Sequence, residues 1–127
     1  MQDTLLREKF HARCLRFGVV VFDLTDTLPK DTRGKYVADQ LMRSGTAVGA
    51  NLQEAQAAQS RSDFIHKMQL CLKEARESDY WLSVIQQSAT YRNTGIEVGK
   101  ILGECREIAA ILAKSIITAK SNRVNPG

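Results

Sequence analysis

Residues 43–55, Arg43-Ser44-Gly45-Thr46-Ala47-Val48-Gly49-Ala50-Asn51-Leu52-Gln53-Glu54-Ala55, put two glycines and an asparagine into an otherwise good helical pattern. Each glycine costs about 1 kcal/mol against alanine inside a helix. On a helical wheel Val37, Leu41, Val48, Leu52 and Ala55 form one apolar stripe. Ala38, Gly45 and Gly49 lie on one flank of it, and Ser44, Ala47, Asn51 and Ala58 on the other. Small residues on both flanks let neighbouring backbones come close, so dispersion contacts along the seam offset the glycine cost. The stretch reads as the crowded, central helix of a bundle.

Working outward, turn signals divide the rest of the chain. Pro29 cannot continue a helix, and Asp31 or Thr32 can cap the next one. Ser60-Arg61-Ser62-Asp63 is a second break, with Ser60 or Ser62 as cap, and Tyr91-Arg92-Asn93-Thr94-Gly95 is a third. The intervening segments, about 4–28, 33–59, 63–91 and 95–120, all show helical apolar spacing, and none alternates with period two. The first helix presents Leu6, Phe10, Cys14, Phe17, Val21, Leu24 and Leu28; the third presents Phe64, Met68, Cys71, Ala75, Ser78 and Leu82. The fourth presents Val98, Ile101, Leu102, Cys105, Ile108, Ala109, Leu112 and Ile116. Four such helices on short loops predict an all-α fold, an antiparallel up-down-up-down four-helix bundle over residues 1–120, with 121–127 a flexible tail.

The totals agree with a single domain: 127 residues, 14.2 kDa, 43% hydrophobic and 25% charged. A net charge of +4 permits contact with phosphate without demanding it. Cys14, Cys71 and Cys105 are odd in number, far apart and on core stripes, a pattern of reduced, buried thiols in a cytoplasmic protein. The charged N-terminus lacks the apolar stretch of a signal peptide, and the longest greasy run, Phe17 to Phe22, is too short for a bilayer, so no membrane association is expected.

Some apolar residues do not fit one core. Val19 and Phe22 point away from the first helix's stripe, and Leu70, Glu74, Glu77, Trp81 and Val84 form a second stripe on the third helix. A monomer would leave Trp81 near water. Self-association supplies the second buried surface.

Asn51, at the edge of the second helix's stripe, must find hydrogen-bond partners or lose about 1–3 kcal/mol. One reading is a polar network with Ser44 and Glu74 or Glu77 that sets helix register; the other is a recognition pocket of Arg43, Asn51, Glu54 and Glu77. Together, Arg43-Ser44, the Ala50-Asn51-x-x-Glu54 run, Asp63-Phe64 and Lys73-Glu74-Ala75-x-Glu77-x-x-Tyr80-Trp81-Leu82 resemble the signature of the bacterial four-helix bundle family of 23S rRNA intervening-sequence proteins. The resemblance spans about residues 43–82. It implies a four-helix bundle, a homo-oligomer that in related proteins is a pentameric ring, and no established catalytic activity; no cofactor is expected. It also implies a link to RNA, because members can be encoded inside inserted segments of large-subunit ribosomal RNA genes. The accessory proteins of diversity-generating retroelements are similar in build and bind nucleic acid and reverse transcriptase. Gly45 and Gly49 depart from the Ser or Ala expected there, which implies tighter packing of the second helix.

The rest of the chain carries few groups with the spacing of a reactive site. Four-helix bundles can host di-metal carboxylate sites, and Glu8-x-x-His11 and Asp63-x-x-His66 have ligand spacing. However, Glu8 and His11 turn away from the core stripe and the last turns of the fourth helix offer no acid, so no metal is expected. Neither a Gly-x-Ser-x-Gly nor a Walker loop occurs, so an enzyme is not expected. Lys9, Arg13 and Arg16 recur along one side of the first helix, Lys30, Arg33 and Lys35 cluster at the first loop, and Lys114, Lys120 and Arg123 add charge near the C-terminus. Repeated around an oligomer, these would contact RNA or DNA phosphates, with affinity sensitive to salt. The alternatives are an ordinary solvated face, or a groove for a protein partner. Aromatic residues able to stack on bases are few: Tyr36, Tyr80, Tyr91 and Trp81.

Overall fold

The computed structural model describes residues 2–91 and 97–124. Four helices, α1 (Gln2–Thr25), α2 (Thr32–Gln56), α3 (Arg61–Gln87) and α4 (Val98–Val124), form an antiparallel up-down-up-down bundle. Among the described residues there is no strand. α2 is packed by α1 on one flank and by α3 on the other, while α4 leans on α3 and touches α1 only lightly.

Each helix begins and ends for a local reason. Asp31 is extended, and its Oδ1 accepts from Gly34 N at 2.8 Å, capping α2. Ser60 Oγ accepts from Asp63 N at 3.0 Å, and Asp63 Oδ2 in turn accepts from Gln59 N at 3.3 Å, so α3 starts two residues earlier than the sequence suggests. α1 stops at Thr25 rather than near residue 28, because Asp26, Thr27 and Leu28 donate to carbonyls three residues back. That tighter turn still places Leu28 in the core, 2% exposed. α4 runs on to Val124, so residues 121–124, expected in the flexible tail, are helical, and residues 125–127 lie outside the described residues. Most of the third turn signal, residues 92–95, also lies outside them.

The core is the one the stripes define, with Cys14, Val21, Leu41, Val48, Cys71, Leu82, Ile108 and Leu112 among its buried residues. Phe10, Phe64, Ile101 and Ala109 pack at its edge. Leu6 is a correction: it belongs to α1's apolar stripe but is 58% exposed, because α4 does not close over the first turns of α1. Ile65 and Ile85 are buried as well, although the stripe of α3 did not include them.

The glycines mark where α1 is pressed onto α2. A Cβ at Gly45 would lie 2.6 Å from Val21 Cγ1 and 3.0 Å from Val21 Cβ. Val21 is β-branched and held at χ1, so it has little room to yield. A Cβ at Gly49 would lie 3.5 Å from the Cys14 carbonyl oxygen, an ordinary contact, and one at Gly103 would meet nothing within 4 Å. At the start of α2, a Cβ at Gly34 would collide with the Pro29 carbonyl.

Four substitutions have opposite expected effects in urea unfolding. Gly103→Ala raises stability by about 0.5–1 kcal/mol and Gly49→Ala by the same or less, whereas Gly45→Ala lowers it by about 1–3 kcal/mol through overpacking. Tyr91 is 5% exposed, and its buried hydroxyl has no hydrogen-bond partner among the described residues. Tyr91→Phe removes that group without changing shape and raises stability by about 1 kcal/mol; a loss of stability would reveal a partner for the hydroxyl.

Candidate functional site

Antiparallel α2 and α3 bring the quoted motif together from residues more than thirty positions apart. Deepest are Ser44 and Ser78, both fully buried, with hydroxyl oxygens 2.9 Å apart. Leu41 O lies 3.3 Å from Ser44 Oγ, and Glu74 O lies 2.9 Å from Ser78 Oγ. Whichever hydroxyl donates across the seam, the other has a carbonyl for its own proton, so neither is orphaned.

Outward from the serines, Arg43 reaches across to α3. Its Nη1 donates to both Glu74 carboxylate oxygens at 3.2 Å, and its Nη2 pairs with Glu77 Oε2. Glu77 Oε2 also accepts from Trp81 Nε1 at 3.1 Å. The indole then meets Tyr36 of α2 and Tyr80 of its own helix edge-on, with ring centroids 5.6 Å and 5.1 Å away. The hydrogen bond from Arg43, followed by the one from Trp81, holds the Glu77 carboxyl below its ordinary range. Trp81 is therefore half-buried within the chain, with its N–H satisfied, and does not await a partner to be covered.

Asn51 and Glu54 do not join this cluster. Asn51 Nδ2 donates to Ala47 O of its own helix at 3.0 Å, so the expected cross-helix network through Asn51 does not form. Glu54 is paired instead with Lys67 at 3.6 Å. Of the motif residues, Arg43, Ser44, Glu74, Glu77 and Trp81 form one connected unit, and Tyr36 and Ser78 complete it. The sequence pattern named Tyr36 only as a stacking candidate, although its place two turns before Arg43 on the same side of the helix is the signal that it could reach α3.

Three comparisons with known proteins bear on these geometries. A model of the 23S rRNA-intervening sequence protein family matches residues 9–114. The chain belongs to this family. A solved structure similar to it is a protein of unknown function from the S23 ribosomal protein family of Bacteroides thetaiotaomicron, 36% identical over 84% of this chain and 97% of that one, with a TM-score of 0.75. A search of curated proteins finds no match. The family's matched span takes in α2, α3 and most of α1 and α4, so the Arg43–Glu77–Trp81 unit lies at its centre.

The basic residues are less uniform than their spacing suggests. Arg13 Nε and Nη2 donate to the two Glu104 oxygens at 2.7 and 2.6 Å, with Glu107 at 3.5 Å, a fork that ties α1 to α4. Lys30 Nζ donates to Asp26 O at 2.9 Å and lies 3.5 Å from Asp26 Oδ1. Lys9, Arg16, Arg33 and Lys35 are exposed and make no ion pair among the described residues. Lys9 and Arg33 lie near opposite ends of the bundle, so the six cations do not form one patch. Lys114 and Lys120 are exposed on the last turns of α4.

Nucleophilic chemistry has little to work with at the cysteines. Cys14, Cys71 and Cys105 are buried and free, and burial pushes each thiol up to about 12, so they are protonated at neutral pH. Among the described residues no three His, Cys, Asp or Glu side chains converge as a metal would need, and no helix is long and apolar enough to cross a membrane.

The Glu77 pair carries a pH signature. A carboxyl whose folded-state pKa is depressed stabilises the fold fully above its unfolded value, and that contribution is lost as pH falls through the folded value. Glu77→Gln therefore lowers stability by about 0.5–1 kcal/mol at neutral pH, and its difference from the parent shrinks toward zero as the pH is taken below the ordinary value of 4.5. Trp81 emission during urea unfolding reads both quantities, and a pH-independent difference would contradict the pairing.

Proposed function

We propose that this protein is a non-enzymatic, cytoplasmic homo-oligomer, a pentameric ring by the family resemblance, whose outward cations contact the phosphate backbone of structured RNA. The observation that supports self-association is the unpartnered face of α1: Leu15, Val19 and Phe22, spaced four and three apart, are 67%, 51% and 57% exposed. They border a shallow apolar hollow of about 520 Å³ floored by Gly18, Thr46, Gly49 and Ala50. Large side chains beside a floor of small ones suit knobs entering holes on another copy.

Lys9 and Arg16 stand beside that face, and Arg33 and Lys35 at the far end of the bundle. Copies arranged in a ring would repeat these separated cations, which turns weak single contacts into appreciable affinity. Arg13 and Lys30 are subtracted from this surface by Glu104 and Asp26. Phosphate contact without base reading fits the scarcity of exposed aromatic side chains. The family name links its members to 23S rRNA, and a structured RNA of that kind is the first ligand to test.

The second reading is a scaffold for a protein partner, favoured by the internal pairing of two of the six expected cations. One experiment separates the readings. Binding of a 23S rRNA hairpin is followed by anisotropy across a salt series, for the parent and for Lys9→Glu/Arg16→Glu, with sedimentation on the same samples. The RNA reading expects affinity to fall with salt, and the variant to lose affinity and shed about 0.7–0.9 units of log–log slope per removed contact while its assembly is unchanged. Affinity insensitive to both salt and substitution contradicts it and leaves the scaffold.

A further inference from the structure

The bundle is open along one edge. The last turns of α4 stand away from the first turns of α1, and the Arg13–Glu104 fork bridges the two helices only farther along. The gap holds two adjoining cavities of about 890 and 620 Å³ that share Leu6, Arg7, Phe64, Ile111 and Ser115. They differ in chemistry. The outer one is ringed by Arg7 of α1, Arg61 of α3 and Lys114 of α4. The inner one reaches down to Phe10, Leu52, Ala55 and Met68. No carboxylate lines either cavity among the described residues, and none of the three cations makes an ion pair among them.

Three cations from three helices line one mouth with no carboxylate beside them among the described residues, an arrangement that favours an anion between them. Below the mouth, Leu6 is 58% and Ile111 36% exposed, apolar surface that water covers poorly. His11 lines the inner cavity but adds no charge near neutral pH, since burial and then Arg7 lower its pKa. A cationic mouth above an apolar shaft matches a ligand with an anionic head and an apolar body.

We infer that the α1–α4 groove binds a single-chain amphiphilic anion, with its carboxylate or phosphate head held by Arg7, Arg61 and Lys114 and its chain lying over Leu6, Phe64 and Ile111 toward Met68. A phosphate backbone would use the cations but leave the apolar shaft empty. A neutral chain would use the shaft but leave the cations unpaired. The groove does not include Lys9 or Arg16, the cations substituted in the RNA test, so the two tests can fail separately, although Lys114 is also among the cations read from the sequence as able to contact phosphate.

Decanoate and decyl phosphate, each below its aggregation concentration, are titrated against 1-anilinonaphthalene-8-sulfonate bound to the full chain, with decanol as the neutral probe. The expected result is displacement by both anions at least about tenfold tighter than by decanol. Arg7→Gln/Arg61→Gln/Lys114→Gln brings the anions to the level of decanol with an unchanged thermal midpoint in the absence of probe, and Leu6→Glu weakens them as well. Equal binding of decanol and decanoate, or full binding by the triple variant, overturns the inference. So does binding confined to phosphatidylglycerol vesicles, which makes the groove a membrane contact. If no decanoate binds and Leu6→Glu dissociates an assembly, the occupant is a second copy and the inference also fails.

Discussion

The close approach of α1 to α2 is the constraint on which the rest of this structure depends. Gly45 has no side chain because Val21 occupies the space where one would be, and Gly18 faces the Thr46 backbone with its absent Cβ only 3.6 Å from Thr46 Cα. Glycine inside a helix is unfavourable by about 1 kcal/mol, so such a seam persists only where the gain in packing exceeds that penalty. Here the seam continues into buried Cys14, Phe17, Val48 and Leu52, and it sets α1 by reference to α2 rather than α4.

Much of the surface chemistry follows from that placement. Because α1 is drawn toward α2, its edge toward α4 is left wide, held by the Arg13 fork and open beyond it. Leu6 is stranded at the opening, and Arg7 is brought opposite Lys114. On α1's outer side Leu15, Val19 and Phe22 remain uncovered. The α2–α3 seam is different in kind: a buried serine pair inside and an Arg43–Glu77–Trp81 chain outside, each group satisfied by the next. Directional bonds of that sort specify register, since sliding α3 by one turn would break the Ser44–Ser78 bond and the Arg43 bonds to Glu74 and Glu77 at once.

The sequence makes the all-α class, the four helices and nearly the whole core legible, because burial on a long amphipathic helix follows a 3.6-residue period that one chain displays alone. The small residues of α2 also declare a close seam, though not which neighbour makes it. What fails is whatever depends on how far one helix stands from another. Leu6 carries the right spacing but has no α4 above it; Arg13 looks solvated until Glu104, 91 residues later, is opposite. Asn51 illustrates a competition that periodicity does not register, between a partner across the seam and the carbonyl one turn back, which Ala47 wins. The three cations of the α1–α4 groove come from separate helices and share no motif, so only the fold assembles them.

A double-mutant cycle between Gly45 and Val21 tests the central seam most directly. If the missing Cβ at Gly45 is space held by Val21, then Gly45→Ala lowers stability in the parent but is neutral or stabilising in a Val21→Ala background, a coupling of about 1 kcal/mol or more in urea unfolding. Additive effects, agreeing within about 0.5 kcal/mol, would mean that the two helices do not meet there.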